Sequence, residues 1–465
     1  MKKLFVFALA AAAIVGCSKN ENGGNDSAVD LSQAQQLKVL TSVSNTTRTA
    51  VDGTTLPVGS AIGVMVTNEN GDADFTPTAI GNGNADGGYY SNGRNIRFAN
   101  EAGENTWASV NTQGQTKLLL FAGEEKGKIF GYYPYTDDAN VLGIGAATTI
   151  PVKILNSGNI VVGDEPGQGT LDGEDSKFAY TAEEEIDFMY NTRNDVVGAK
   201  TTTTARLAMN HALSRVSFRI YTSKEAQNAV EGEEDSYYQF VGYTIKNKSN
   251  DQGEGEGELH ARFKYTTDAD ATRMNIQDGT ITNTIAGGEI ARTIEGYKMV
   301  RSTADDTDNN KIAADASYRV SNLLFPLDNI TADENNHSKN IEVVISIQRM
   351  KGDGTKPTTT DKDGATVNIA PVGYALPFDV STVTAWEAGK NYTYTIKFTG
   401  NSISSTTLPA SPTTICFGIW TDTLSNRSSA SSTSTIPAAR TVAIPSTPAS
   451  WTTSRMPMKA PTSRF

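Results

Sequence analysis

Short apolar stretches separated by turn-forming residues constrain the fold of this chain more than any other feature. Clusters of Gly, Asn and Asp, such as residues 81–88, lie between the stretches, and the chain contains 41 glycines. Such short runs, several of them alternating on one face, are typical of strands. The apolar stretches are residues 37–43, 61–66, 117–121, 128–133, 159–162, 215–220, 240–245, 341–347 and 392–398. They predict an all-β sandwich or barrel protein, with short helical pieces only near Ala226 and Glu184.

Two tandem domains and a tail account for the length of the chain. Its 465 residues are enough for two or three domains. The strand pattern divides near residue 205, which predicts β-sandwich domains over residues 49–205 and 206–400. In residues 401–465, Ser, Thr and Pro make up 34 of 65 residues. A tail of this composition buries too little apolar surface to fold alone.

The N-terminus has the pattern of a secretory leader. Lys2 and Lys3 precede an apolar run of 12 residues, which is too short to remain as a membrane-spanning helix. The run ends at Gly16 and Cys17, a junction that resembles the lipidation site of bacterial lipoproteins. We predict that residues 1–16 are a signal peptide and that lipidated Cys17 tethers the mature protein to the cell envelope. An ordinary signal peptide followed by an unmodified cysteine is the alternative.

Charge and composition exclude several classes of function. With 40 Lys and Arg against 52 Asp and Glu, the net charge is −12, which disfavours nucleic acid and anionic membrane surfaces as partners. Two cysteines and three histidines are too few for a zinc, iron–sulfur or disulfide framework. We therefore expect no cofactor, no metal, no catalytic residue and no nucleic-acid partner.

One acidic segment begins like a calcium-binding loop and then departs from it. Asp306, Asp308 and Asn310 have the spacing of the first EF-hand ligands. Lys311 and Ser317 stand where that loop needs Gly and Glu, so the segment is predicted to be a solvated acidic loop.

The other candidate chemical groups are expected to be structural. His211 has no second His or Cys nearby and is predicted to be a hydrogen-bonding core residue. The adjacent acids at residues 183–185 are predicted to lie on a solvated face. Because carboxylates from distant loops can meet in a fold, the sequence leaves a glycosidase open.

Six segments with strand and turn character occur in one order along residues 17–398. They are the Cys17 junction, Thr47-Arg48-Thr49 with Val58-Gly59-Ser60-Ala61-Ile62-Gly63-Val64, Phe130-Gly131-Tyr132-Tyr133-Pro134-Tyr135, Asp187-Phe188-Met189-Tyr190, residues 207–218, and residues 386–394. In this order they resemble the fimbrillins, the lipoprotein-derived pilin subunits of type V fimbriae in anaerobic Gram-negative bacteria.

The resemblance implies two transthyretin-like β-sandwich domains, a lipid anchor in the outer membrane, no enzyme activity, and a fimbrium that supports cell adhesion. It also implies assembly by donor-strand exchange. In that mechanism an arginine-specific protease removes the first strand of a surface precursor, and a strand from another fimbrillin subunit, of the same or a different kind, fills the groove. In this chain residues 17–48 would be removed, and the cut would fall between Arg48 and Thr49.

Both strands of this exchange can be placed on the sequence. In the removed strand Leu37, Val39, Thr41 and Val43 share one face. The predicted donor strand is residues 414–421. Its apolar anchors are Ile415, Phe417 and Ile419. The low-complexity composition around it differs from the ordered C-terminal strand of the family, and its loss of acidic residues suggests a shifted reading frame.

A surface glycan-binding β-sandwich lipoprotein is the alternative function. Sugar-binding surfaces usually present exposed aromatic rings, and the loops offer few beyond Trp107 and the Tyr89-Tyr90 pair. A β-sandwich hydrolase is a third, weaker possibility.

Overall fold

The computed structural model describes most of the chain up to residue 408. The described residues are 34–43, 56–78, 88–101, 107–137, 148–163, 179–182, 184–193, 195–226, 230, 232–247, 272–282, 284, 288–304, 306–328, 330, 338, 340–376 and 383–408. All of them belong to one compact unit, Met1–Thr414.

Strands make up nearly all of the regular structure in these ranges. The first half contains β1 (Gln35–Gln36), β2 (Lys38–Val43), β3 (Ala61–Asn68), β4 (Ile96–Asn100), β5 (Trp107–Ser109), β6 (Leu120–Phe121), β7 (Lys126–Tyr133), β8 (Thr149–Pro151), β9 (Ser157–Val161), β10 (Ala179–Tyr180), β11 (Met189–Asn191), β12 (Val196–Gly198) and β13 (Thr204–His211). The second half contains β14 (Ser214–Thr222), β15 (Tyr237–Asn247), β16 (Arg273–Asn275), β17 (Ile281–Thr282), β18 (Glu289–Glu295), β19 (Val300–Arg301), α1 (Thr307–Asp315), β20 (Arg319–Leu324), β21 (Ile341–Met350), β22 (Thr358–Thr360), β23 (Thr366–Asn368), β24 (Val372–Ala375), β25 (Asn391–Phe398) and β26 (Ile403–Leu408).

The strands pair into several sheets, which confirms the predicted all-β class. The largest sheet has eight strands in the order β2-β13-β11-β7-β3-β4-β5, with β12 also paired to β7. A six-stranded sheet has the order β10-β20-β14-β25-β26, with β19 on β14, and a five-stranded sheet has the order β24-β21-β15-β18-β9. A three-stranded sheet (β17-β16-β8) and two-stranded pairs β1-β6 and β22-β23 complete the described pairing. No described helix has the length and apolar character of a membrane span.

Each of the nine predicted apolar stretches overlaps a strand, and together they account for nine of the 26 strands of the described residues. Clear alternation of buried and more exposed residues occurs in β2, β13, β21 and β25. The strand predicted over residues 117–121 is shorter than expected, because only Leu120 and Phe121 lie in β6. Leu118 instead forms an isolated bridge with Tyr89.

The one helix of the described residues corrects the sequence analysis. Helices near Ala226 and Glu184 were expected, yet both residues lie in bends or turns. The helix is α1, where a solvated acidic loop was expected. It begins there because the Asp306 side chain caps it by accepting a hydrogen bond from the Asn309 N–H at 2.8 Å. Ala313 and Ala314 bury its inner face against Tyr221.

Two large hydrophobic clusters form the interior of the molecule. One contains buried side chains from Leu37 to Met209, and the other contains side chains from Met65 to Ile403. Strands β8, β9 and β10 pair with β16, β18 and β20, so segments before residue 205 contribute to sheets formed mainly after it. The domain division near residue 205 stays a prediction.

Candidate assembly site

Strand β2 lies at one edge of the eight-stranded sheet, where it has a single neighbour in that sheet. It runs parallel to β13, and the register pairs Lys38 with Thr204 through to Val43 with Met209. The Lys38 N–H donates to the Thr203 carbonyl at 2.8 Å at the start of this ladder. Six residues of β13 therefore depend on β2 for pairing on that side.

The inner face of β2 is part of the first hydrophobic cluster. Leu37, Val39, Thr41 and Val43 are at most 5% exposed, whereas Leu40 on the other face is 37% exposed. This is the alternation predicted from the sequence. Burial of a Val or Leu side chain stabilises a fold by about 1.5–3 kcal/mol, so the three apolar residues together contribute roughly 5 kcal/mol or more.

Further contacts connect β2 to the far end of the sheet order. The indole Nε1–H of Trp107, in β5, donates to Thr41 Oγ1 at 3.2 Å. The Leu37 N–H donates to the Leu119 carbonyl at 3.0 Å, and β1, just before it, pairs with β6. Because β2, the first strand of the order, also contacts β5, the last, it nearly closes the sheet into a barrel. Its removal would open a groove along β13 and expose apolar side chains on its floor.

The residues predicted to carry processing and donation all lie outside the described residues. These are Cys17, Arg48, Thr49, Ile415, Phe417 and Ile419. In sequence, Arg48 follows the last residue of β2 by five positions, and Ile415 follows the last residue of β26 by seven. Their roles therefore stay predictions.

The segments that carried the family resemblance meet in space in two groups. In the first, Gly63 of β3 pairs with Tyr132 of β7, and a Cβ on Gly63 would lie 2.0 Å from Tyr132 Cε1. Only glycine leaves room for that ring. Tyr132 Oη donates to Asn95 Oδ1 at 2.5 Å, which fixes the ring at this position.

His211 and Asp187 link two other resemblance segments in the same region. Met189 of β11 pairs with His211 of β13, and His211 Nδ1 lies 2.9 Å from Asp187 Oδ2. Both side chains are at most 1% exposed. His211 is therefore a hydrogen-bonding core residue, as predicted, and no metal-binding cluster occurs in the described part of the chain.

The second group joins β14 to the segment that leads into β25. Ser214 Oγ donates to the Trp386 carbonyl at 2.7 Å, and the Gly389 N–H donates to the Leu213 carbonyl at 2.9 Å. The buried Trp386 indole donates to Tyr394 Oη at 3.0 Å. These segments hold the parallel β14–β25 pair together, so their role is structural.

Sequence reasoning missed one buried charge pair. Glu185 was predicted to lie on a solvated face, but its side chain is 2% exposed and its Oε1 lies 2.5 Å from Arg292 Nη2. Glu185 Oε2 accepts from Thr181 Oγ1 at 2.6 Å and from the Leu323 N–H at 3.2 Å. Burial raises the pKa of Glu185, against the opposing pull of Arg292 and these donors. The sequence around Glu185 does not indicate this pair, because its partner Arg292 is 107 residues away.

Comparison with known families gives one match along most of the chain. The fimbrillin-like family matches residues 47–415. No curated protein is similar enough in sequence to count as a match.

Several solved structures are similar to the chain at low identity. A proposed cell adhesion protein from Bacteroides ovatus ATCC 8483 is 14% identical, with 80% of this chain and 96% of that chain covered and a TM-score of 0.42. One from Bacteroides uniformis ATCC 8492 is 12% identical, with 80% and 98% covered and a TM-score of 0.39. The tip fimbrial protein Mfa3 from Porphyromonas gingivalis, with a C-terminal truncation, is 8% identical, with 80% and 99% covered and a TM-score of 0.32. Because all three TM-scores are below 0.5, family membership rests on the family match alone.

Proposed function

Because this chain belongs to the fimbrillin-like family, we propose that it is a fimbrial subunit that polymerises by donor-strand exchange and supports cell adhesion. The family is structural, so the chain is not an enzyme. The observation that carries the proposal is β2, an edge strand whose buried face completes a core and whose end precedes Arg48 by five residues.

Cleavage after Arg48 would convert the subunit from a closed to an open form. It would detach β2 from β13 and leave the main-chain groups of residues 204–209 without their ladder partners. Buried unpaired peptide groups and exposed apolar side chains are both costly, so a replacement strand is favoured. An arginine-specific protease is the processing partner in this proposal.

The replacement strand would come from the tail of another subunit. Residues 414–421 place Ile415, Phe417 and Ile419 two residues apart, the same spacing as the buried positions of β2. The donor segment begins six residues after Leu408, the end of β26. An extended link of that length spans about 20 Å at most.

The proposed subunit has two transthyretin-like domains and a lipid anchor. The two hydrophobic clusters support sandwich domains over residues 49–205 and 206–400, with strands β8, β9 and β10 completing sheets of the second. Lipidated Cys17 would hold the precursor on the outer membrane through a polar tether, until the cut after Arg48 releases it into the fimbrium.

Cleavage-dependent polymerisation is the test of this function. Purified protein treated with an arginine-specific protease should acquire Thr49 as its new N-terminus and form ladders on gels run without boiling. Arg48→Lys should resist that protease and form no ladder, whereas trypsin, which cuts after Lys, should restore the ladder. A chain ending at Pro412 keeps β26 and lacks the donor, so it should be cut and stay monomeric. Ladders that persist in both altered proteins would refute the proposal.

Lipidation is tested independently of assembly. Cys17→Ser removes the thiol that would carry the acyl chains, so the protein should leave the membrane fraction or accumulate as an uncleaved precursor. Membrane fractionation and gel mobility measure this, and Ser18→Ala is a control that leaves the thiol in place. Unchanged partitioning of the Cys17→Ser variant would show that no lipid is attached there.

A further inference from the structure

Two tyrosines and two cations form a half-buried cluster beside β4 and β5. This tyrosine–cation patch consists of Tyr90, Arg97, Lys117 and Tyr135. The Lys117 ammonium lies 4.9 Å from the centre of the Tyr90 ring, and the Arg97 guanidinium carbon lies 5.8 Å from the centre of the Tyr135 ring. All four residues are partly exposed, so a ligand in solution can reach them.

The two cations of the patch form no ion pair within the part of the chain that the structure describes. Neither Arg97 nor Lys117 forms an ion pair with any described residue, in a protein whose net charge is −12. The neighbouring Arg94, by contrast, is paired with Asp74. Asp137 is the acid that acts on the patch, through Tyr135, and it forms no described ion pair with either cation. Two cations that are not ion-paired within the described residues are suited to attract an external anion.

The sheet holds the patch in a fixed geometry. Strand β4 is paired on both sides, with β3 and β5, and Arg97 lies within it. The Arg97 N–H donates to Tyr90 Oη at 3.4 Å, and Arg97 Nη1 donates to the Asn111 carbonyl at 3.5 Å. Burial raises the pKa of both tyrosines, so their hydroxyls stay neutral hydrogen-bonding groups.

We propose that the tyrosine–cation patch binds a carboxylate-bearing sugar of an acidic glycan. Arg97 presents a planar fork of N–H donors that matches a carboxylate, and Lys117 adds a second positive charge. Tyrosine rings offer apolar faces to the C–H groups of a sugar ring, and their hydroxyls can bond to its hydroxyls. This adhesive function goes beyond subunit assembly and does not depend on strand exchange.

Other anionic ligands fit the patch less well. A nucleic acid would bring a dense row of negative charges against an acidic protein, which is repulsive outside the patch. An acidic peptide carries several carboxylates, which the acidic protein repels outside the patch, and β4 offers its main chain no free edge because both of its edges are paired. A single carboxylate on a mostly neutral sugar chain requires only the two cations that the patch provides.

Calorimetric titration of the full-length protein with matched sugars tests the proposal. The probes are 3′-sialyllactose and a hyaluronan hexasaccharide as acidic sugars, lactose as the neutral analogue, and penta-glutamate as an acidic peptide. At least one acidic sugar should bind about tenfold or more tightly than lactose and penta-glutamate. Arg97→Gln should weaken that binding by about tenfold or more, as expected for loss of a charged hydrogen bond, and Lys117→Gln should weaken it by a smaller factor.

A matched cation–aromatic pair elsewhere provides the control. Lys298 lies 4.4 Å from the centre of the Tyr237 ring, and Lys298→Gln should leave sugar binding unchanged. Circular dichroism should show that all three variants keep the strand content of the parent. Equal binding of lactose, preferential binding of penta-glutamate, no binding of either acidic sugar, or equal losses in the Arg97 and Lys298 variants would each overturn the proposal.

Discussion

Glu185→Ala is expected to lower the free energy of unfolding by about 3–5 kcal/mol, because it leaves the buried Arg292 guanidinium and the Thr181 hydroxyl without their hydrogen-bond acceptor. The Arg292 side chain is fully buried, and its Nη2 lies 2.5 Å from Glu185 Oε1. The same change removes the acceptor of the Leu323 N–H in β20. Glu185 therefore links β18, which contains Arg292, to β20 of another sheet, and one substitution removes both contacts.

Chemical denaturation measures this loss, and the neighbouring acid provides the control. Glu184 is exposed, so Glu184→Ala should change the free energy of unfolding by less than about 0.5 kcal/mol. Glu185→Gln keeps a hydrogen-bond acceptor for Leu323 and should lose less than Glu185→Ala. A Glu185→Ala protein within about 1 kcal/mol of the parent would contradict the buried pair.

The pH dependence of this contribution follows from the raised pKa of Glu185. Burial lifts that pKa above its ordinary value of 4.5, so the folded protein retains a proton that the unfolded chain has lost. The contribution of Glu185 is therefore most favourable below pH 4.5 and declines as pH rises through the folded-state pKa. The stability of the parent relative to Glu185→Gln should fall across that range, and a relative stability that rises instead would contradict the pKa direction.

Local patterns in the sequence were sufficient to find nine of the 26 strands of the described residues. The alternation in residues 341–347 and 392–398 predicted β21 and β25, because a strand with one buried face repeats every two residues. Helix α1 was missed because its sequence lacks a comparable repeating pattern of buried residues. Its sequence TDNNKIAAD has little apolar periodicity, and its start is set by the cap at Asp306, which resembled a failed calcium loop.

Long-range partners were beyond the reach of those patterns. The inner face of β2 was predicted residue by residue, but its parallel neighbour β13 lies 166 residues further along, and nothing in either strand encodes that pairing. The same holds for Glu185 and Arg292, which are 107 residues apart. Adjacent acids usually lie in solvent, so only the folded structure could place one of them inside.

The second large effect is expected at the inner face of β2. Val39 is 4% exposed within the first hydrophobic cluster, so Val39→Asp should cost about 3 kcal/mol or more through lost apolar burial and a desolvated carboxylate. Leu40→Asp places the same charge one residue away on the outer face, which is 37% exposed, and should cost less than about 1 kcal/mol. Thermal or denaturant unfolding followed by tyrosine and tryptophan fluorescence measures both.

The same pair of variants connects stability to assembly. In the proposed mechanism β2 occupies the groove that a donor strand later fills. A β2 strand that packs less tightly should therefore dissociate sooner from the cut protein. Val39→Asp should therefore speed ladder formation after cleavage at Arg48, whereas Leu40→Asp should match the parent. Because both variants carry the same added charge, a difference between them reports the buried face of the strand rather than electrostatics. Equal rates in the two variants, despite a measured loss of stability in Val39→Asp, would show that release of β2 does not limit strand exchange.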